Sequence, residues 1–348
     1  MLRRTMLSLV PASIVGVNKG IAQQAQPAKL DERLAPTAPI RVSVNEVIVP
    51  VTVTDDKGRF VTDFDKEHFR IFEDGREQQI IYFNRERNQP VVIGFLLDVS
   101  NASRQHWKVF QEASIDLVQT LLPGDKRYSG YLISYGTEAE LQVNTTTDPD
   151  AIMAKIRKLK PGGGAALFDA MYMACTSRDL VKGEPIEPRR IIVIIGDGHD
   201  SASKKGLQEV QELAQRNLVT VYGVSTVAFG FVSDGEKQLL QLCDATGGRV
   251  EAPLNKGLYK DISGYLSTPS DEGNYAIKVG TGGYASEIAK GMFRAIANVA
   301  GEVTTQYVMR YSPENSDSAK VFRKIRVEVL GYPNLRIRHR EGYYPYNP

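Results

Sequence analysis

Three short segments concentrate the side chains that could do chemistry. In GFLLDVSNAS, Gly94 to Ser103, an apolar run ends in Asp98, and Ser100 and Ser103 follow it. In PGGGAA, Pro161 to Ala166, three glycines lead into an apolar helical pattern. In GDGHD, Gly196 to Asp200, two aspartates flank His199. Carboxylates and hydroxyls are hard oxygen donors, the kind that Mg²⁺ takes in near-octahedral geometry while keeping several waters. The question these segments raise is whether the first loop holds a cation.

Other chemistries fit the same segments less well. PGGGAA lacks the lysine of a phosphate-binding loop, which argues against nucleotide binding. The chain has no G-x-S-x-G elbow and no credible Ser–His–Asp set. With no second His or Cys at a metal spacing, His199 reads as a solvent-facing loop histidine. Asp200, Ser201 and Ser203 read as the N-cap region of a helix at LQEVQEL. Asp169 falls in the first turn after the glycine loop, where a negative charge suits the helix dipole.

The elements that would position these loops follow from periodicity. VVIGFLLD and RRIIVIIG are continuous apolar runs, the mark of strands covered on both faces. Helix-period segments alternate with strands through LVTVYGVS and EKQLLQLCDAT, which predicts a mainly parallel, doubly wound α/β sheet. In such a sheet, ligands bind beyond the carboxyl ends of the strands where the topology reverses, so the three loops should meet there. Before this core, Val47, Val49, Val51 and Val53 alternate in strand period, and Asp74–Gly75 signals a hairpin. After it come TQYVMRYS, KIRVEVL and LRIRHR, three more strand signals. The two groups are expected to pair into one small β-sandwich, because chain ends tend to lie close together.

The resulting division is a signal peptide at 1–22, a linker at 23–40, sandwich strands at 41–88, the α/β domain at 90–302 and further sandwich strands at 303–348. A Gly-, Ser- and Pro-rich insertion is placed at about 252–285. Arg3 and Arg4 precede an apolar stretch, and Gly20 and Ala22 suit a small-residue cleavage site, so the mature protein is expected to be secreted or periplasmic with no stable membrane span. The 348 residues carry 42% hydrophobic and 24% charged side chains with a net charge of +2, an ordinary globular composition that argues against nucleic-acid binding. Cys175 and Cys243 lie inside apolar patterns and read as free and buried. The basic residues between Lys320 and Arg340 read as wet strand faces and protected edges rather than a surface for an acidic polymer.

The loops and their flanks resemble those of von Willebrand factor A-type domains, of the exported bacterial kind. The resemblance is carried by DVSNAS, GGGAALFDA and GDG, and by VTDDKGRFVTDFDKEHFRIFEDGREQQI, ATGGR and YVMRYSP…FRKIRVEV…LRIRHREGYYP around them. That family's metal-ion-dependent adhesion site uses D-x-S-x-S, a threonine from a second loop and an aspartate from a third. The resemblance therefore implies Asp98, Ser100 and Asp197 as ligands. It also implies two losses: Ala102 stands at the second serine, with Ser103 one step late, and Ala165 stands at the threonine. On an incipient helix one residue turns a side chain by about 100°, so a degenerate site with weak or absent Mg²⁺ or Mn²⁺ is expected, the alternative being a shifted loop in which Ser103 substitutes. The function implied is that of a non-enzymatic protein-interaction or adhesion-type module. Its partner would be a protein or cell-envelope ligand, meeting a face that includes Ser103, Gly164, Ala165 and His199. The alternatives are a metal-assisted hydrolase using Asp98, Asp197 and His199, and a purely structural envelope component.

Overall fold

The computed structural model describes residues 46–85, 90–177, 189–226, 233–252, 280–313 and 321–345. The chain divides into two units, Met1–Pro36 and Thr37–Pro348, and every described residue belongs to the second. The expected signal peptide, the linker and residues 253–279 of the insertion lie outside the described residues.

Both apolar runs are central strands. β5 (Val91–Asp98) is buried along its whole length and pairs in parallel with β6 (Tyr128–Tyr135) on one side and β8 (Arg189–Gly196) on the other. β9 (Thr220–Ser225) and the short β10 (Val250–Glu251) extend the sheet beyond β8, and antiparallel β7 (Ala139–Thr146) closes the other edge. The order β10-β9-β8-β5-β6-β7 reverses at β5, so the end of β5 is the switch point. Alternate β5 residues feed two cores. Val91, Ile93, Phe95 and Leu97 pack with α1 (Trp107–Leu121), α2 (Pro149–Ile156) and α6 (Gly280–Thr305). Val92 and Leu96 pack with α3 (Leu167–Thr176), α4 (Leu207–Arg216) and α5 (Asp234–Thr246). α6 starts at Gly280, so residues 280–285, read from sequence as loop, are helical; glycine is a weak local signal that surrounding structure overrides.

The remaining strands form two antiparallel four-stranded sheets around one shared core. The first has the order β13-β1-β11-β4, with β1 (Val47–Thr54), β4 (Ile80–Asn84), β11 (Tyr307–Tyr311) and β13 (Arg336–Arg338). The second has the order β14-β12-β2-β3, with β2 (Phe69–Glu73), β3 (Arg76–Gln78), β12 (Arg323–Val329) and β14 (Gly342–Tyr343). Both sheets mix strands from before and after the α/β core, and Val49, Val51, Phe69, Ile71, Met309, Ile325 and Val327 meet between them. Asp74 and Gly75 both take positive φ, 48° and 83°, as the two-residue hairpin turn requires.

β1 departs from its alternating pattern in one respect: all eight of its residues are buried. Its second face lies against the α/β part, where Thr52 Oγ1 donates to Glu302 Oε1 at 3.0 Å. Glu302, at the end of α6, also meets Arg249 Nε at 3.0 Å and Arg338 Nη1 of β13 at 2.7 Å. Gln306 bridges Thr52 and Tyr222. Two further arginines of the C-terminal strands are paired with carboxylates: Arg323 with Glu73 at 2.9 Å and Arg326 with Glu328. Arg323 and Arg340 are buried, which corrects their reading as wet faces.

Candidate functional site

The three loops converge through their backbones. The Gly162 amide donates to the Val99 carbonyl at 2.7 Å, and the Asn101 amide to the Gly163 carbonyl at 3.1 Å. The amides of Ser201 and Ala202 both donate to the Ala165 carbonyl, at 2.8 and 3.0 Å. The Ala165 amide in turn donates to Ser201 Oγ. Asp98, Ala165 and Asp197 are thus gathered at the carboxyl end of the sheet.

After Asp98 the chain takes 3₁₀ turns from Asn101 to His106 before α1 begins. A 3₁₀ turn has three residues, so side chains at i and i+3 eclipse. Ser100 and Ser103 are accordingly both buried, at 3% and 2% exposure, while Ala102 faces solvent. The α-helical turn that would carry Ser103 away is absent, and the tighter winding buries the late serine with Ser100, as in the alternative of a shifted loop. Ser103 and Ala165 are also buried rather than on a partner surface; Gly164 is partly exposed and His199 exposed.

Asp98 is 2% exposed and its Oδ1 accepts the Ser100 amide at 2.7 Å. Burial pushes its carboxyl up to about 6, with the Asp197 charge adding to the rise, while the hydrogen bond from the Ser100 amide acts against it. Half-buried Asp197 spends Oδ1 on the His199 amide at 2.9 Å. That bond uses the histidine backbone, so it does not tie the imidazole to a carboxylate. Asp200 and Ser203 cap α3 rather than α4: Asp200 Oδ1 accepts the Phe168 amide at 3.1 Å and Ser203 Oγ the Asp169 amide at 3.0 Å. Asp169 returns the contact by accepting the amides of Lys204 and Lys205. The cap of α4 is Gly206.

One residue escaped the sequence reading. Tyr135 ends β6, directly beside Asp98 in register, and is fully buried. Burial, with Asp98, Asp197 and Asp200 nearby, raises its hydroxyl well above the usual tyrosine range. Only the parallel pairing of two strand ends makes it a neighbour.

Four oxygens here are buried without a hydrogen-bond partner: Asp98 Oδ2, Ser100 Oγ, Ser103 Oγ and Tyr135 OH. Orphaned buried polar atoms are uncommon and costly, and a hard cation takes carboxylate and hydroxyl oxygens of this kind. The donor set therefore fits Mg²⁺ or Mn²⁺, short of the oxygen that Ala165 does not supply. Among the described residues no three His, Cys, Asp or Glu side chains gather into a metal site, so hydroxyls and water would complete the shell.

Residues 93–254 match the von Willebrand factor type A domain family. Solved structures similar to the chain include an aerotolerance-related membrane protein from Bacteroides fragilis, 18% identical over 46% of this chain and 90% of that one, TM-score 0.37. Another is the vWF domain of the type V pili tip protein Mfa5 from Porphyromonas gingivalis, 23% identical over 32% and 39%, TM-score 0.28. A third is proximal thread matrix protein 1 from the mussel byssus with a zinc-occupied MIDAS motif, 12% identical over 67% and 50%, TM-score 0.43. The chain thus spans half or less of the latter two. No curated protein matches it. No helix among the described residues is long and apolar enough to cross a membrane.

Proposed function

We propose that the chain is an exported, non-enzymatic interaction module whose partner, a protein or cell-envelope ligand, docks where the three loops meet. The observation that carries this reading is the cluster of orphaned oxygens on Asp98, Ser100 and Ser103. Together with Asp197 these would hold Mg²⁺ or Mn²⁺, weakly because Ala165 brings no hydroxyl, and the cation would offer coordination positions to an acidic group of the partner. Domains of the matching family are typically interaction modules rather than enzymes, and the exposed His199 ring has no carboxylate partner among the described residues, its backbone amide alone meeting Asp197. Export rests on the Arg3–Ala22 pattern; mass spectrometry of exported material should give a chain beginning near Gln23, and an intact Met1 would contradict it.

The test is capture of a partner from envelope extract by wild type and Asp98→Asn, each with Mn²⁺ or with chelator. The reading predicts one specific partner, retained only by wild type with Mn²⁺. Capture indifferent to both Mn²⁺ and Asp98 would contradict it, as would hydrolytic turnover abolished by His199→Ala.

A further inference from the structure

We propose that Tyr135 is the positioning residue of this site, its hydroxyl being the donor that fixes the free carboxylate oxygen of Asp98. The assignment rests on the cation-binding reading above and adds to it a residue outside the three loops.

The backbone arrangement comes first. Tyr135 and Asp98 are register partners at the ends of adjacent parallel strands, and the Tyr135 carbonyl accepts the Val99 amide at 3.0 Å. The point where Asp98 leaves the sheet is thereby anchored to Tyr135. The side chain then reaches the strand on the far side of β5. A Cβ on Gly196 of β8 would lie 2.1 Å from the Tyr135 hydroxyl, 2.9 Å from Asp98 Cβ and 3.3 Å from Asp98 Oδ2. The glycine that opens GDGHD is what leaves room there. Hydroxyl and carboxylate oxygen thus converge on one small space that any larger residue at position 196 would fill.

Both groups are unsatisfied. Oδ1 of Asp98 is held by the Ser100 amide, whereas Oδ2 has no donor, and the Tyr135 hydroxyl has no acceptor. A buried donor and a buried acceptor left unjoined each carry a desolvation cost that their union would remove. Packing explains the ring, which lies in the core with Leu96, Ile133 and Ile194. It does not explain the hydroxyl, since phenylalanine would fill the same volume. In the proposed arrangement the hydroxyl donates to Oδ2. A bound cation favours that state, because it holds the carboxylate charged and a charged acceptor makes the stronger hydrogen bond. Groups that orient a metal ligand in this way are worth about 10–100-fold in affinity.

The test compares wild type with Tyr135→Phe, measuring Mn²⁺ binding by electron paramagnetic resonance and the melting temperature in chelator. The expected result is about tenfold weaker Mn²⁺ binding in the variant, with a metal-free melting temperature equal to or above that of wild type. A purely structural hydroxyl would change the melting temperature and leave the affinity alone. If wild type binds Mn²⁺ and the variant binds it equally well, the assignment of Tyr135 falls while the cation site stands. If wild type binds none, both fall together.

Discussion

The Ser103 amide donates to the Ser100 carbonyl at 3.2 Å, and this i to i+3 bond sets both hydroxyls on the buried side of the loop beside Asp98. A spacing that looks one residue too long for a cation site is thereby shortened by winding.

The first consequence is a reversal of which position matters. Ser103→Ala should weaken Mn²⁺ binding by at least about tenfold, since a direct ligand should count for no less than an orienting group. Ala102→Ser should change nothing, because residue 102 faces solvent. Ala165→Thr, restoring the oxygen that the second loop lacks, should tighten binding. Titration of the three variants with Mn²⁺ checks this, and a gain from Ala102→Ser would show that the loop winds otherwise.

Asp98 makes stability depend on pH in metal-free protein. Its carboxyl lies at about 6 in the fold, above the ordinary 3.8, because burial disfavours the charge. Below about pH 3 both folded and unfolded chains hold the proton and there is no penalty. As pH rises towards 6 the unfolded chain ionises first, so the fold loses stability, by about 3 kcal/mol at full extent. Asp98→Asn should therefore differ least from wild type near pH 3 and gain on it towards pH 7 in urea unfolding with chelator present. A stability difference that does not grow between pH 3 and pH 7 would contradict a carboxylate whose burial outweighs its hydrogen bonding.

Glu302 ties the sandwich to the α/β sheet. Removing its fully buried carboxylate takes a partner from Arg338 and leaves Arg249 with Glu251 alone, at 2.9 Å. Both arginines are partly exposed, so Glu302→Ala should cost about 2–3 kcal/mol in denaturant unfolding. A loss below about 1 kcal/mol would mean that water replaces the carboxylate at this junction.

Much of this architecture is legible in the sequence, and the illegible parts have specific causes. VVIGFLLD and RRIIVIIG announce central strands because burial on both faces leaves no polar position. Asp74–Gly75 announces its hairpin because only residues tolerant of positive φ fit there. The second buried face of β1 is hidden, since Thr52 looks like a wet position until Glu302 meets it. The inward turn of Ser103 is hidden because α and 3₁₀ winding differ by one hydrogen bond that composition does not encode. Tyr135 is hidden for another reason: it reaches Asp98 across two strands that lie 37 positions apart in register.

The most direct test of the cation-dependent face is a Mn²⁺ titration of wild type and Asp98→Asn followed by electron paramagnetic resonance. The proposed cation site predicts weak binding of one Mn²⁺ per wild-type chain at millimolar concentration, and none in the variant. Wild type that leaves all Mn²⁺ free at millimolar concentration, or binding that survives Asp98→Asn, would contradict it.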